Sequence, residues 1–570
     1  MLDTTLLLKE ILNAADSYLQ NPSIPVLPMS GYEEYLRTGN RMDFEKKYFA
    51  RRRQLIVLAL AYPQKKAVKP LLEQLLWEIC NEYTWALPAH LPIEGQQFTI
   101  ESEVWLDLFA AETGQALAEV LENVGEELSP MLVNRIRQEL QRRIFQPFLA
   151  HVWDWEDKTN NWSAVVGGSI GLAALSVLPK NSEQQKRIIR RLAHSMQSYL
   201  AGFGEDGACL EGIGYWSYGF GYFIYYVEKL AEITGDDYYL KLEKVKRMAA
   251  FPYYMQYANE DFVPFSDYSQ VAVPSGLLSF CKQHMQVPIP KFSQLTSLDF
   301  DYCYRFAHVS RNLKWYENTE ETSLEPFNQY FADAQWWLVR EEGMFFAAKG
   351  GNNQESHNHL DIGQFVFGDK ELFLTDLGAG AYSRDYFTAK TRYRFFPPSA
   401  ESHSVPQINN QWELPGSVSA TDVQQQGKTF SMELSGIYPK ATVSSFQRQF
   451  HVQGRTLIID DHFVFDKQAN TVVENFITRH LPIVEETTVT LEGETECCTL
   501  SFSTTQITIV PKKYQDHYGN QQTVYLIQAG YSFEQIEMKI KILIQLQTKP
   551  TGKKSLEGED DAMLSMLSKR

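Results

Sequence analysis

The stretch 357-HNHLDIGQFVFGDKELFLTDLGAGAY-382 is the part of this sequence from which its fold can be inferred. It places His357, His359 and Asp361 at alternating positions immediately before an apolar run. On an extended strand, alternate side chains point to the same face, so we expect these three groups to lie a few ångströms apart. A single histidine is more often an ordinary structural residue, and the cluster becomes a site only if partners lie elsewhere in the chain.

Two such partners follow closely in the sequence. Asp376 ends an apolar run before a glycine turn, and His403 follows a basic, aromatic stretch. Two imidazoles and one carboxylate are a common ligand set for zinc, so His359, Asp376 and His403 are candidate zinc ligands. For each residue taken alone, a turn aspartate or an exposed histidine is the more frequent interpretation.

The pattern of apolar residues differs between the two sides of this stretch. Residues from about 50 to 310 repeat apolar positions at i, i+3 and i+4, which predicts helix after helix. Such a series favours stacked helix pairs, either as a superhelix or as a closed α/α toroid. Beyond about residue 330, short β-branched and aromatic runs between turn residues predict an antiparallel β-sandwich. We expect a helical domain over 1–315 and a sandwich domain over 330–570, with a linker near 317–328.

Composition limits the classes of partner. A chain of 570 residues exceeds one hydrophobic core, and 44% hydrophobic with 22% charged residues is ordinary for a globular protein. The net charge of −17 argues against nucleic acid and anionic membranes as partners. An acidic substrate would need a locally basic cleft. The best candidate for one is the stretch 382–394, which carries Arg384, Lys390, Arg392 and Arg394.

Cysteine usage and the first residues bear on the compartment. The six cysteines form no CxxC pair, and adjacent Cys497 and Cys498 are poorly placed to bond each other. Residues 1–19 show helical apolar spacing rather than a signal peptide, and no transmembrane run is evident. We therefore expect a reduced, cytoplasmic protein.

A second group of candidate residues lies in the helical half. The tripeptide "NNW" at 160–162 begins a helix-like segment, where asparagine is a good cap. The glycine-rich joint "EDGACLEGIGYWSYGFGYF" at 205–223 contains Tyr215 and Tyr218, which share a face if the helix has begun. The alternative interpretation places both tyrosines in the core.

The order of these motifs resembles the heparinase II/III family of polysaccharide lyases and is similar to the related oligoalginate lyases. The resemblance covers roughly residues 100–500 and is strongest across 355–405. It implies an α/α toroid, an incomplete barrel of helix pairs, joined to an antiparallel β-sandwich. It also implies cleavage of a glycosidic bond beside a uronic acid by β-elimination, which leaves a 4,5-unsaturated sugar.

The resemblance implies a role for each motif residue. Tyr215 and His357 match the catalytic tyrosine and histidine, Asn161 would neutralise the uronate carboxylate, and Tyr218 is a rival to Tyr215. His359, Asp376 and His403 fall on the ligands of a Zn²⁺ that organises the cleft. Related members often carry histidine at the position of Trp162. The expected substrate-binding residues are Asn160, Trp162, Glu211, Arg392, Tyr393 and Arg394.

The expected activity is therefore a carbon–oxygen lyase acting on an acidic oligosaccharide. Heparin or heparan sulfate fragments are the first expectation, followed by chondroitin, hyaluronan and alginate oligomers. We also allow for a homodimer. One rival is a toroidal glycoside hydrolase, for which Glu205, Asp206 and Glu211 could supply paired carboxylates. The other is a glycan-binding protein without catalysis.

Overall fold

A computed structural model describes residues 4–270, 272–292, 296–316, 324–355, 357–383 and 385–549. Arg384 of the predicted basic stretch, residues 317–323 of the predicted linker and the charged tail from residue 550 lie outside the described residues. None of the helices in the described ranges has the length and the apolar character needed to cross a membrane.

Helices fill the first half of the chain, where the apolar periodicity predicts them. The α-helices are α1 Thr4–Gln20, α2 Met29–Thr38, α3 Met42–Ala61, α4 Lys69–Cys80, α5 Leu108–Val124, α6 Pro130–Leu140, α7 Gln146–Ala150, α8 Asn161–Val177, α9 Glu183–Ala201, α10 Ile213–Thr234, α11 Glu243–Met255, α12 Ser275–Phe280 and α13 Phe306–Lys314. Helix α8 is almost wholly buried and packs between α5 and α10. Its glycines permit this, since a Cβ on Gly171 would lie 2.2 Å from the ring of Tyr226.

Strands fill the second half and form short hairpins in the first. They are β1 Ile93–Glu94, β2 Gln97–Phe98, β3 Gln256–Ala258, β4 Asp261–Phe262, β5 Phe327–Phe331, β6 Trp336–Glu341, β7 Met344–Lys349, β8 Phe365–Gly368, β9 Leu372–Leu374, β10 Gln407–Ile408, β11 Thr421–Gln426, β12 Thr429–Glu433, β13 Val443–Gln453, β14 Thr456–Phe465, β15 Asn470–Thr478, β16 Pro482–Glu485, β17 Thr488–Glu492, β18 Glu496–Ser501, β19 Ile507–Gln515, β20 Gln521–Phe533 and β21 Glu537–Thr548.

The strands of the second half form three antiparallel sheets. Their orders are β5-β6-β7-β8-β9, β11-β12-β13-β14-β21-β18-β17-β16 and β10-β15-β20-β19. Side chains of β14 alternate strictly between buried and partly exposed, as expected for a sheet with one face on a core. One shared core joins the first sheet to the second through aromatic side chains such as Phe346 and Phe450. The predicted antiparallel sandwich is confirmed.

The five-stranded sheet also forms the seam with the helical half. Its opposite face contributes Trp336, Leu338 and Phe345 to the core of the helices. Phe265, in the loop after β4, packs edge-on against Trp336 with ring centroids 5.3 Å apart. This contact fixes the loop 263–270 of the helical half directly beside the start of the sandwich.

The predicted strand through the His-Asn-His motif is wrong. Strand β8 begins only at Phe365, and the preceding residues form turns, with a positive φ of 58° at His357 and 86° at Gly363. Period-two alternation therefore does not apply there. Asp361 turns to Lys349, whose Nζ donates to its carboxylate at 2.9 Å, instead of sharing a face with the two histidines.

Candidate active site at the seam

A buried carboxylate from the helical half organises the site. Asp267 lies in the loop after β4 and is 4% exposed. Its oxygens accept hydrogen bonds from His357 Nδ1 at 2.8 Å, His359 Nε2 at 3.0 Å, Tyr386 OH at 2.7 Å and Arg392 Nη2 at 3.0 Å. Burial alone would raise the pKa of Asp267, but the hydrogen bonds from both histidines and the charge of Arg392 hold it well below its usual range. Asp267 is therefore a carboxylate that only accepts.

His357 presents one ring nitrogen to the cleft. Because the Asp267 carboxylate can only accept, Nδ1 of His357 carries the proton of their hydrogen bond. Nε2 is then left with a lone pair, and it faces Glu211 Oε1 at 3.8 Å. The side chain is 20% exposed, so a ligand can reach it. An imidazole held in one tautomer by a buried carboxylate is well arranged to remove a proton.

Tyr215 lies directly on this imidazole. It belongs to the first turn of α10, which follows Gly212 at a positive φ of 90°. The rings of Tyr215 and His357 stack with centroids 4.1 Å apart at 28°. The Tyr215 hydroxyl lies 3.2 Å from that of Tyr382, which follows the glycine turn after β9. Burial raises the pKa of Tyr215, so its hydroxyl is neutral and can donate a proton.

The structure separates Tyr218 from this pair. Its hydroxyl donates to Glu112 within the helical half, and the guanidinium of Arg305 lies 3.8 Å from its ring centroid. It is 8% exposed. Of the two predicted tyrosines, the structure therefore brings only Tyr215 to His357.

The "NNW" segment begins α8, as its capping pattern predicts. Asn160 is the N-cap, and its side chain accepts from the backbone of Trp162 at 3.2 Å. Asn161 is 4% exposed. It lies close to Gly219, one turn after Tyr215: a Cβ added to Gly219 would be 3.2 Å from the Cβ of Asn161. Trp162 is partly exposed and packs edge-on against His90. These positions place Asn161 near the Tyr215 turn and Trp162 farther along the helical surface.

His359, Asp376 and His403 converge as a buried group. The ligand atoms of all three lie within 4.8 Å of one another, and His359 Nδ1 is 3.2 Å from His403 Nε2. Nε2 of His359 donates to Asp267, and Nδ1 of His403 donates to the carbonyl of Ser399 at 2.8 Å. Both facing nitrogens therefore carry lone pairs, next to a carboxylate. Such an arrangement is unfavourable unless a cation lies between the groups, so the donor set fits a metal ion.

The predicted basic stretch divides between the interior and the surface. Arg392 is 9% exposed, and its guanidinium holds Asp267 and donates to the carbonyl of Asn358 at 3.0 Å. Tyr393 packs with Leu360 in a small apolar cluster. Arg394 and Lys390 are exposed. Arg392 is thus placed behind the site rather than on its surface, which leaves the other two cations for a ligand.

The sequence did not reveal three of the residues that complete the site. Asp267 lies in "PFSDYSQV", which matches no motif, and only its contacts show its role. Tyr382 and Gln364 lie within the quoted stretch but carry no signal of their own. The side chain of Gln364 donates to Asp376 and accepts from the backbone of Ser404 at 3.1 Å, which ties two of the candidate metal-binding segments together.

Comparison with known proteins gives matches in structure alone. No family model and no curated protein matches the sequence. A crystal structure of heparinase III superposes with a TM-score of 0.62 at 13% identity, over 92% of this chain and 79% of that one. Heparan sulfate lyase HepC from Pedobacter heparinus gives 0.57 at 12% identity, over 90% and 76%. A Paenibacillus xanthan lyase gives 0.57 at 12%, over 95% of this chain and 57% of its own length.

The fold is that of a heparinase-like polysaccharide lyase. The predicted fold class, an α/α toroid followed by an antiparallel β-sandwich, is confirmed by this likeness and by the element order. The domain boundaries at 315 and 330 stay a prediction. In this fold the His357–Tyr215 pair lies where the toroid meets the sandwich.

Proposed function

We propose that this protein is a polysaccharide lyase that cleaves uronic-acid-containing glycans by β-elimination and leaves 4,5-unsaturated products. The observation that carries the proposal is the stacking of Tyr215 on His357, with Nδ1 of His357 fixed by Asp267. A base with a directed lone pair and a neutral phenol next to it are the two proton carriers that an elimination needs. The heparinase-like fold supports the same class of reaction.

Each residue of the pair then has a distinct task. Nε2 of His357 takes the C5 proton of the uronate, and the Tyr215 hydroxyl protonates the departing glycosidic oxygen. The Tyr382 hydroxyl, 3.2 Å from that of Tyr215, can pass a proton back to it. Removing the C5 proton puts negative charge on the uronate carboxylate, so a polar donor must face that group. Asn161 is our candidate for that donor.

We further propose that His359, Asp376 and His403 hold one Zn²⁺. Their lone pairs face one another, and Asp267 and Ser399 fix both imidazoles from behind. A bound Zn²⁺ would cross-link three chain segments beside the site. His359 and His357 both donate to Asp267, so the same carboxylate positions one proposed metal ligand and the proposed base.

The proposed substrate is an acidic oligosaccharide. Heparin or heparan sulfate fragments come first, since proteins named for that substrate share the fold. Alginate oligomers are the alternative. A glycoside hydrolase is less well supported. Glu205 is exposed beside Lys244 and Arg247, and Asp206 accepts from the backbone of residues 333 and 334. Of the three candidate carboxylates, Glu211 is left at the site.

Location and assembly stay proposals. All six cysteines are free, which suits a reducing, cytoplasmic compartment. The homodimer is a prediction that light scattering of the full chain would test.

The deciding experiment uses the products. The full chain should be incubated with heparan-type, chondroitin-type and alginate oligosaccharides, and product should be followed by its near-ultraviolet absorbance. A lyase gives absorbing unsaturated ends with at least one of these glycans, and Tyr215→Phe should lower their rate of formation by about two to four orders of magnitude. New reducing ends without absorbance would indicate a hydrolase, and binding without cleavage would indicate a glycan-binding protein. Either result overturns the proposal.

A further inference from the structure

A hairpin loop at the edge of the four-stranded sheet reaches the helical half. It comprises residues 516–520, between β19 and β20, and its sequence is Asp-His-Tyr-Gly-Asn. The carboxylate of Asp516 accepts from the backbone N–H groups of Tyr518 at 3.0 Å and Asn520 at 2.9 Å. Gly519 has a positive φ of 81°. Aspartate bonds to the backbone two residues on and glycine adopts positive φ freely, so the local sequence fixes the shape of this loop.

The loop contacts a segment of each domain. The Tyr518 hydroxyl donates to the carbonyl of Gln270 at 2.9 Å, in the loop of the helical half that also carries the buried site carboxylate. The backbone of Asp516 forms an isolated antiparallel bridge with Gly380, in the turn that leads to Tyr382. The loop 516–520 therefore connects the toroid segment and the sandwich segment that frame the proposed site.

His517 packs directly against Tyr382. Their ring centroids lie 4.5 Å apart and the ring planes meet at 87°. Tyr382 also contacts Tyr386 and Phe387, at 5.2 and 4.7 Å, but these two residues belong to its own loop. Among its ring contacts within the described ranges, His517 is the one that holds Tyr382 from a separate hairpin. Such a contact restrains the Tyr382 hydroxyl, which lies 3.2 Å from that of Tyr215.

The chemistry of His517 is that of a packed, neutral ring. Burial lowers its pKa, although a hydrogen bond to the backbone of Gly380 opposes the shift, so the ring is uncharged at about pH 7. Its Nδ1 is buried and has no hydrogen-bond partner in the part of the chain that the structure describes. Burying an unpaired polar atom costs free energy, so a phenyl ring should be tolerated at this position. His517→Phe is therefore a variant that keeps the ring contact and removes the ring nitrogens.

We infer that the loop 516–520 is a strap that positions Tyr382 to return a proton to Tyr215, with His517 as the positioning residue, an inference that rests on the proposed function. After Tyr215 has protonated the departing oxygen, Tyr382 donates its proton to Tyr215 and regains one from solvent. His357 releases the C5 proton to solvent, so the protons balance. His517 touches no substrate and acts through Tyr382 alone.

A double-mutant cycle on the full chain tests this coupling. Tyr382→Phe should lower kcat by about ten- to a hundredfold, because the returning proton loses its donor. His517→Ala should lower kcat by about tenfold and change KM by less than about twofold. Because His517 acts through Tyr382, adding His517→Ala to Tyr382→Phe should lower kcat by less than about twofold more. The rates are those of ultraviolet-absorbing product from whichever heparan-type, chondroitin-type or alginate oligosaccharide the wild type cleaves.

Three further variants distinguish positioning from a loss of fold. His517→Phe should keep kcat within about threefold of the wild type, because the ring contact with Tyr382 is retained. Tyr518→Phe removes the hydroxyl that donates to Gln270 and should lower kcat by about threefold. It takes the place of His517→Ala in the cycle if thermal unfolding shows that His517→Ala is not folded. His462→Ala, at a partly exposed histidine of β14 that pairs with Glu537, is the control and should have normal kcat.

The outcomes separate this inference from the proposed function. A folded His517→Ala with normal kcat overturns the strap, and so does a His517→Ala effect that is as large in Tyr382→Phe as in the wild type. A His517→Phe that is as slow as His517→Ala also overturns the role of the ring contact. In each case the lyase function stands if the wild type forms absorbing product and Tyr215→Phe does so far more slowly. If the wild type forms none, the proposed function fails and the strap fails with it.

Discussion

Asp267 accepts a hydrogen bond from Nδ1 of His357 at 2.8 Å, although the two residues lie 90 positions apart in the chain. The same carboxylate accepts from the candidate metal ligand His359 at 3.0 Å. A single side chain of the toroid therefore orients both the proposed base and one proposed zinc ligand of the sandwich. The relationship predicts that Asp267 matters for turnover although it lies too deep to touch a substrate.

Asp267→Asn is the direct test of this relationship. An amide at this position presents N–H to His357, which favours the tautomer with the proton on Nε2 and removes the lone pair from the cleft. We expect kcat to fall by about two to four orders of magnitude with a much smaller change in KM. Steady-state kinetics measure this. Asp333→Asn, at another contact between toroid and sandwich, is the control. A variant with normal kcat would contradict the assignment of His357 as the base.

Replacement of the two tyrosines should have opposite consequences. Tyr215→Phe removes only the hydroxyl next to His357, so turnover should fall by about two to four orders of magnitude while the fold survives. Tyr218→Phe removes the donor to buried Glu112, so it should lower the free energy of unfolding by about 1–3 kcal/mol and leave most of the activity. Initial rates and urea unfolding measure the two effects. Loss of activity in Tyr218→Phe alone would move the catalytic role by three residues.

The proposed Zn²⁺ predicts the zinc content of the protein and the effect of removing one ligand. Metal analysis should find about one zinc per chain in the purified protein. His403→Ala should remove it and lower the melting temperature, because three segments lose their shared ligand. His194→Ala, at an exposed histidine of α9 that pairs with Asp157, is the control. Equal zinc content and equal stability in both variants would refute the metal site.

The regular elements could be predicted from local patterns. Helix α9 and strand β14 each bury one face, so their apolar residues recur at helical or at alternate spacing. This spacing is visible in the local sequence. The convergence of His359, Asp376 and His403 could also be inferred, because zinc ligands have a recognisable chemistry. The α/α toroid could be predicted because the order of the motifs resembles that of the heparinase II/III family.

Other features could not be predicted, for physical reasons. Asp267 acts through contacts with residues about 90 to 125 positions away, which no local pattern records. The regular alternation around His357 predicts a strand, whereas the structure has a loop there. The glycines on either side of it, Gly351 and Gly363, both adopt positive φ, and they were the available signal of a turn. Arg392 is buried because it pairs with Asp267. Its burial could not be predicted without knowing that Asp267 lies beside it.

Arg392 and Arg394 should respond differently to replacement by alanine. Arg392→Ala leaves buried Asp267 without its cation, so we expect a loss of about 3–5 kcal/mol in the free energy of unfolding. Arg394→Ala removes an exposed charge and should change stability by no more than about 0.5 kcal/mol. It should instead raise KM, and added salt should weaken the wild type in the same way. Urea unfolding and KM at two ionic strengths distinguish them; a stable Arg392→Ala would contradict the buried pair.

Glu112 predicts a specific dependence of stability on pH. Burial raises its pKa to about 7, against the opposing charge of Arg305, whereas in the unfolded chain the group titrates near its ordinary value of about 4.5. Between these two values the folded state holds the proton more tightly than the unfolded state, so this group's contribution to stability falls as pH rises from about 4.5 to 7.

Glu112→Gln keeps an acceptor for the Tyr218 hydroxyl and cannot titrate. The difference in unfolding free energy between variant and wild type should therefore shift in favour of the variant by about 1–3 kcal/mol from pH 4.5 to 7.5. Urea unfolding across this pH range measures it, and a constant difference would show that Glu112 remains ionised beside Arg305.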